Sequence, residues 1–338
     1  MIKKLSVRFM IVLLACCVVL TGLAPVVTQT AEAKSSPKLS SKSIILVKGG
    51  SKKISLKSGK GSWTIQGNGV AKLTSKKKKS VTVVPLKPGD TVVTCKVGKK
   101  KLKCKVKVLN NRIGNPKEEN LVYLLEGKSA SFSIDIPEGE AVRNVTSSNG
   151  NALVSYSVTG SELNIKINPK KAGRFNLVIQ PESSPAESTR MYVIKNFRGK
   201  TKAKKNKTNY NKWRRQFLLS TAGTDMSTWE IIHAAGYLIS TGKYSLKGGA
   251  TGMQLWYGSN GTCVSGAKMM GDFMKDVGIK NKIRFAGKMK GPVDIFGASI
   301  MYGSQHKNIR IKLDGKCYEL NPQPGAQWPY GIVKRSSL

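Results

Sequence analysis

The sequence predicts a multidomain chain in which two all-β sandwiches precede an α+β domain. Three observations carry this. Residues 34–197 read as short runs of alternating apolar and polar residues separated by turn formers. Residues 198–207 are basic and low in complexity, and helical periodicity first appears after them, with strands following. About three hundred residues past the start are too many for one small core, so several units are expected.

Residues 1–33 have the layout of an export signal. Lys3, Lys4 and Arg8 form a basic start, Phe9 to Leu20 an apolar run, and Ala31-Glu32-Ala33 a small-x-small cleavage site. A lipoprotein signal ending at Cys16 and a retained anchor are the alternatives, but the apolar run continues past Cys16 and is short for a spanning helix. Cleavage after Ala33 removes three cations and one anion, taking the formal charge from +40 to +38. Export makes the expected location secreted or on the cell surface.

The first sandwich, residues 34–109, is expected from SIILV, KKISL, SWTIQ, VAKLT, SVTVV, TVVTCKV and LKCKVKV, where lysine takes the outward positions. The second, residues 110–197, follows from LVYLLEG, ASFSIDI, VRNVTSS, ALVSYSV, ELNIKINP, RFNLVIQ and MYVIKN. Gly127-Lys-Ser-Ala-Ser echoes Gly50-Ser-Lys-Lys-Ile, as two modules that open alike would. After the basic linker, Trp213, Phe217 and Leu218 share a helical stripe within 211–220. Ser227 and Glu230 form a capping box before Ile231, Ala234, Ala235, Leu238 and Ile239. A further helix is expected over Cys263–Val277 with Gly278 just past its end, then strands at 282–286, 309–313 and 316–320. Residues 208–338 therefore read as a separate α+β domain.

Four cysteines remain after export: Cys95, Cys104, Cys263 and Cys317. None has metal-ligand spacing, and two histidines in the chain supply no usual zinc site, so no metal and no cofactor are expected. A turn centred between Lys99 and Lys100 would set Cys95 opposite Cys104, leaving open a cross-strand disulfide or two buried thiols.

The chemistry concentrates in the last domain. Cys263 falls in the first turn of an amphipathic helix, where unpaired N–H groups and the helix dipole favour a thiolate. A small residue packing a helix start is the competing reading. Asp314-Gly315 is a two-residue hairpin signal that pairs Leu313 with Lys316 and sets Arg310 opposite Glu319. The same register makes His306 and Asn321 diagonal neighbours on one face, roughly 7–8 Å apart between backbones. His233, inside the capped helix, is expected to be structural. Gln254 and Trp256, just before the turn into Cys263, are candidates for an oxyanion donor or a wall of the cleft, with core packing favoured for Trp256, and Trp328 and Tyr330 would cover a cleft or dock the tail.

Two resemblances add to this. Residues 34–109 resemble the group 2 bacterial Ig-like family in Val47-Lys-Gly-Gly, Trp63-Thr64-Ile65, Gly69-Val70-Ala71, Lys87-Pro88-Gly89-Asp90 and Cys104-Lys-Val-Lys-Val. That resemblance implies a spacer or surface-binding unit. Gly261-Thr262-Cys263, Val277-Gly278-Ile279, His306, Asp314-Gly315-Lys316, Tyr318 and Asn321-Pro322 resemble the transglutaminase-like superfamily of papain-type cysteine enzymes. The match spans about Tyr210 to Pro324 and includes Asp225-Met226-Ser227. It implies Cys263 as nucleophile, His306 as base and acid, Asn321 as orienting group, and a thioester passed to water or an amine. The family usually carries an aromatic two residues after the histidine, where this chain has Asn308, and an aspartate where it has Asn321.

The expected activity is that of a secreted or surface cysteine hydrolase on a peptide or protein substrate. The alternative is an inactive adhesin or cell-wall-binding protein. The charge draws polyanions. For an exported chain these are anionic wall polymers or a membrane surface. The lysines lack the interleaved aromatics of a nucleic-acid groove, so no specific nucleic acid is expected.

Overall fold

Alternation builds the first sandwich. The computed structural model describes residues 36–67, 69–117, 122–197, 205–221, 226–286, 289–303 and 305–338. The export-signal residues 1–33 and most of the expected linker, 198–204, lie outside them. Strands β1 (Ser43–Leu46), β2 (Lys52–Ser55), β3 (Ser62–Ile65), β4 (Ala71–Lys77), β5 (Ser80–Pro85), β6 (Gly89–Val97) and β7 (Lys100–Val108) form two sheets, ordered β1-β7-β6-β3 and β2-β5-β4. Along β7, Cys104, Val106 and Val108 face the core while Lys103 and Lys105 point to water, the two-residue period of a half-buried strand.

The second sandwich repeats the plan with β8 (Val122–Leu125), β9 (Ala130–Asp135), β10 (Val142–Ser147), β11 (Ala152–Thr159), β12 (Glu162–Pro169), β13 (Gly173–Pro181) and β14 (Glu187–Ile194). Its sheets run β10-β13-β14-β8 and β11-β12-β9. In both sandwiches the first strand pairs parallel with the last, β1 with β7 and β8 with β14. The two modules that open alike in sequence therefore also close alike.

The α+β unit holds α1 (Lys207–Thr221), α2 (Thr228–Ser240), β15 (Lys243–Gly249), α3 (Gly252–Gly258), β16 (Asn260–Gly261) and α4 (Cys263–Asp276). Then come β17 (Lys280–Phe285), β18 (Met289–Val293), β19 (Ser299–Tyr302), β20 (Lys307–Leu313), β21 (Lys316–Leu320) and β22 (Val333–Arg335). The antiparallel sheet β17-β20-β21-β22 carries Ile309, Ile311, Leu313, Tyr318 and Leu320 against Ala267, Met270, Phe273 and Met274 of α4 in one core. The stripe expected on α4 is the face it buries.

The three units do not hang as separate beads. Alternate residues of β1, β8 and β14 serve two cores. Ile44 and Leu46 of β1 fill the first sandwich, while Ile45 and neighbouring Val47 pack into the α+β core. Leu124 of β8 and Met191 and Val193 of β14 fill the second sandwich, while Tyr123, Leu125, Tyr192 and Ile194 join the α+β core. A strand buried on both faces reads as a continuous apolar run, as SIILV and LVYLL do. The first sandwich also closes the far end of α4. Lys52 Nζ donates to Lys275 O at 3.1 Å, a cation at the helix's negative pole, and Ser51 N–H donates to Gly278 O at 2.8 Å.

One cysteine expectation needs correcting. The β6–β7 turn is Gly98-Lys99, with Gly98 at φ 56°, so Val97 pairs with Lys100 and Cys95 with Leu102. A glycine at positive φ takes the first central position of a two-residue turn, so the turn centres one residue earlier than expected and every partner shifts by two. Cys104 then pairs with Val93, and both thiols are free and buried. Burial pushes Cys104 up to about 11.

Candidate active site

Three pieces of chain bring the thiol to its partners. The first is the start of α4. Thr262 is its N-cap in extended backbone, and Ser265 Oγ accepts from Thr262 N–H at 2.9 Å. The second is β20, which begins directly after His306. The third is the end of β21, which delivers Asn321. The hairpin between them has the register read from the sequence: Leu313 pairs with Lys316, Arg310 with Glu319 and Ile309 with Leu320. Asp314 and Gly315 sit at φ 50° and 75°, the pair of positive values that such a turn requires.

Gly266 decides how close helix and hairpin come. A Cβ built there would lie 1.9 Å from Pro322 O, so only a glycine lets the turn after Cys263 pack on the backbone after Asn321. The approach closes the triangle. His306 Nε2 donates to Asn321 Oδ1 at 2.8 Å, and the Cys263 thiol is hydrogen-bonded to the same ring. With Nε2 engaged by Asn321, Nδ1 is the nitrogen left for sulfur.

The electrostatics favour a charge-separated pair. Burial pushes the Cys263 thiol up, but the His306 bond and the N–H groups of Lys307 and Val264 aimed at sulfur outweigh it, and its pKa falls below the ordinary value. Burial pulls His306 down, but its bonds to Cys263 and Asn321 outweigh that, and its pKa rises. A lowered thiol beside a raised imidazole shifts the pair toward thiolate and imidazolium. Cys263 keeps 9% of its surface exposed. No described backbone carbonyl accepts the Cys263 N–H, which leaves it able to donate to an oxyanion.

Gln254 has another use. Its Oε1 accepts from Thr251 N–H at 3.0 Å and Thr251 Oγ1 at 2.9 Å, completing the capping box of α3. No described contact joins Gln254 to Cys263, His306 or Asn321. The pattern Thr-x-x-Gln at 251–254 was the signal for this cap. Trp256 lies in the α+β core. His233 is 3% exposed, donates through Nε2 to Pro116 O at 3.1 Å and accepts at Nδ1 from Trp328 Nε1 at 3.2 Å. It stitches the segment between the sandwiches to the tail. Trp328 packs over Gly236 of α2, so the tail docks there.

The sequence reading missed what lies beside the site. β15 pairs Tyr244 with Gly261 next to the turn that leads into Cys263, and β18 and β19 form a hairpin that had not been expected from the sequence. The hairpin face that carries His306 and Asn321 is covered: Asn308, Cys317, Glu319 and Asn321 are all buried. Arg335 of β22 and the tail close it, Arg310 Nη1 donating to Ser337 O at 3.4 Å. Among the described residues no cluster of side chains could hold a metal ion.

No family model matches this chain, and neither does any curated protein. Solved structures that overlap it in part include domains 4 and 5 of the S-layer protein SbsC, at 23% identity over 40% of this chain and 76% of that one, with a TM-score of 0.20. A titin immunoglobulin tandem overlaps at 10% identity over 47% of this chain and 97% of that one, with a TM-score of 0.19. The Escherichia coli adhesin FdeC overlaps at 12% identity over 48% and 65%, with a TM-score of 0.19.

Proposed function

We propose that this is an exported, surface-associated cysteine hydrolase of the papain-type, transglutaminase-like class, acting on peptide or protein acyl groups. The observation that carries the reading is the Cys263–His306–Asn321 chain of hydrogen bonds at a helix N-terminus, with Nε2 of His306 held at 2.8 Å by Asn321 Oδ1. In the proposed reaction the Cys263 thiolate adds to the carbonyl carbon, and the oxyanion meets the Cys263 N–H. The His306 imidazolium gives its proton to the leaving amine, and a thioester remains. Water then adds to the thioester while His306 takes its proton, and the acid departs as Cys263 is restored. Asn321 fixes the imidazole through both steps. Water is the default acceptor, so hydrolysis is favoured over transfer to an amine.

The test is alkylation of Cys263 by iodoacetamide across pH, read by mass spectrometry at that site. The expected profile rises well below the pH at which a model thiol reacts, because the folded pKa is depressed. A profile no faster at neutral pH than the model thiol's overturns the reading. Cys263→Ala should also abolish trapping of a thioester by acyl probes.

A second reading has its own support. Residues 34–109 contain one acidic residue, Asp90, among many lysines, the surface of a unit that binds anionic wall polymers or lipid headgroups. In that reading the last unit serves as an adhesin and the triad is idle. Full surface retention of Cys263→Ala together with no acyl-probe trapping in the wild type would select it.

A further inference from the structure

Beneath His306 lies a polar cluster that the acyl-transfer steps do not touch. His306, Asn308 and Arg310 follow one another at two-residue spacing and so share a face of the hairpin, with Glu319 and Asn321 across from them. His306 reaches Asn321, Asn308 Nδ2 donates to Glu319 Oε1 at 3.1 Å, and Arg310 Nε donates to Glu319 Oε2 at 3.0 Å. Arg335 adds Nε to Oε2 at 3.0 Å and Nη2 to Oε1 at 3.2 Å. Asn308 is 0% exposed and the Glu319 side chain 1%.

An ionised carboxylate only accepts hydrogen bonds. Glu319 therefore dictates which end of the Asn308 amide faces it, the NH₂ end, and the carbonyl end points away. That oxygen is buried and completes no hydrogen bond among the described residues. Folded proteins rarely leave a buried acceptor orphaned, and the cost falls when a positive group stands beside it. The neighbour two positions back on the same face is His306, and Asn308 acts on that ring in the direction that favours its charged form.

We propose that Asn308, locked in orientation by Glu319, is a positioning residue that supports the charged imidazole of His306 with its amide oxygen. This rests on Cys263 and His306 being the reactive pair. Asn321 supplies that imidazole with a hydrogen bond but no negative charge. Glu319 does not supply it either, since Arg310 and Arg335 together outweigh its single charge. The other charged neighbours are the Cys263 thiolate, from α4, Lys307, whose Nζ sits 4.4 Å over the Phe285 ring, and Arg284 of β17, which lies opposite Asn308 in the register and donates from Nη2 to Leu338 O at 2.8 Å. The oriented amide dipole is the added element that compensates the cations beneath the ring.

The experiment is the pH profile of acyl-probe labelling at Cys263 in the full chain, with alkylation by iodoacetamide alongside, for the wild type, Asn308→Leu and Asn308→Ser. Leucine matches the amide in shape and removes the dipole. Serine keeps a donor for Glu319 but has no carbonyl to aim, and it carries the test if the leucine variant fails to fold. Both folded variants should pull the alkaline limb of labelling, which needs His306 charged, down by about one pH unit, so that labelling within that limb slows about tenfold. The chain has two histidines, so the imidazole signals in proton NMR are few, and the His306 midpoint should fall in the same variants. A variant labelling profile that superimposes on the wild type's, with wild-type alkylation accelerated, overturns the role of Asn308 and leaves the proposed function standing. A wild type no faster than a model thiol overturns both.

Discussion

At the start of α2 every early donor is met by protein. Thr228 N–H bonds Arg112 O, Trp229 N–H bonds Ile113 O, and Glu230 N–H bonds Ser227 Oγ. Glu230 in turn accepts from Ser227 N–H, from Arg112 Nη2 at 2.9 Å and from Arg190 Nη1 at 3.3 Å. At the start of α4 the third residue is Ser265, the Thr262 hydroxyl is buried without a described partner, and the Val264 N–H is aimed at the Cys263 sulfur. One helix end brings a carboxylate to its positive pole and becomes a joint between three units. The other carries no carboxylate in its first turn, so its field acts on the thiol. The histidines divide the same way. His233 accepts at Nδ1 from an indole and donates from Nε2 to a carbonyl, which holds one neutral tautomer. His306 has a thiol that can give it a proton.

The comparison can be broken from either side. The largest expected effect is Glu230→Ala, which strips a buried carboxylate from two arginines and a helix cap. Loss of about 3–5 kcal/mol is expected by urea unfolding, with the pH profile of Cys263 alkylation unchanged in the folded fraction. A change in that profile would mean the two helix ends are coupled. Gly266→Ala comes next, because its Cβ meets Pro322 O. About 1–3 kcal/mol should be lost, and here the acid limb of alkylation should move up as Asn321 is pushed from the helix. An unchanged profile would show that the close approach does not set the triad. The smallest shift comes from Asn321→Asp. A carboxylate on Nε2 stabilises imidazolium, so His306 stays charged to higher pH and the alkaline limb of acyl-probe labelling should extend by about one unit. A limb that does not move would mean Asn321 is not the group orienting the imidazole.

Much of the site was legible because hairpin and helix rules are local. Asp314-Gly315 set a register that put His306 near Asn321, and Thr262 before an apolar stripe set the start of α4. Gln254 has a local use that its sequence also carries, because Thr251 three residues earlier takes its carbonyl as a cap. The hairpin register gave Glu319 its partner Arg310, but nothing within the hairpin tells that Asn308 and Glu319 are buried. Only the arrival of Arg335 and the tail, distant in sequence, buries them.

The sequence by itself determined where strands alternate, where α2 and α4 begin, and which turn joins β20 to β21. Those depend on residues within a few positions of each other, where backbone period and capping geometry decide the outcome. The tertiary structure alone decided that β1, β8 and β14 are buried on both faces. It also decided that Lys52 caps the far end of α4 and that Gly266 meets Pro322. These contacts join residues tens to hundreds of positions apart, and their geometry exists only once the sheets have docked. Cys263 owes its place at a helix start to local sequence, and its partners to that docking.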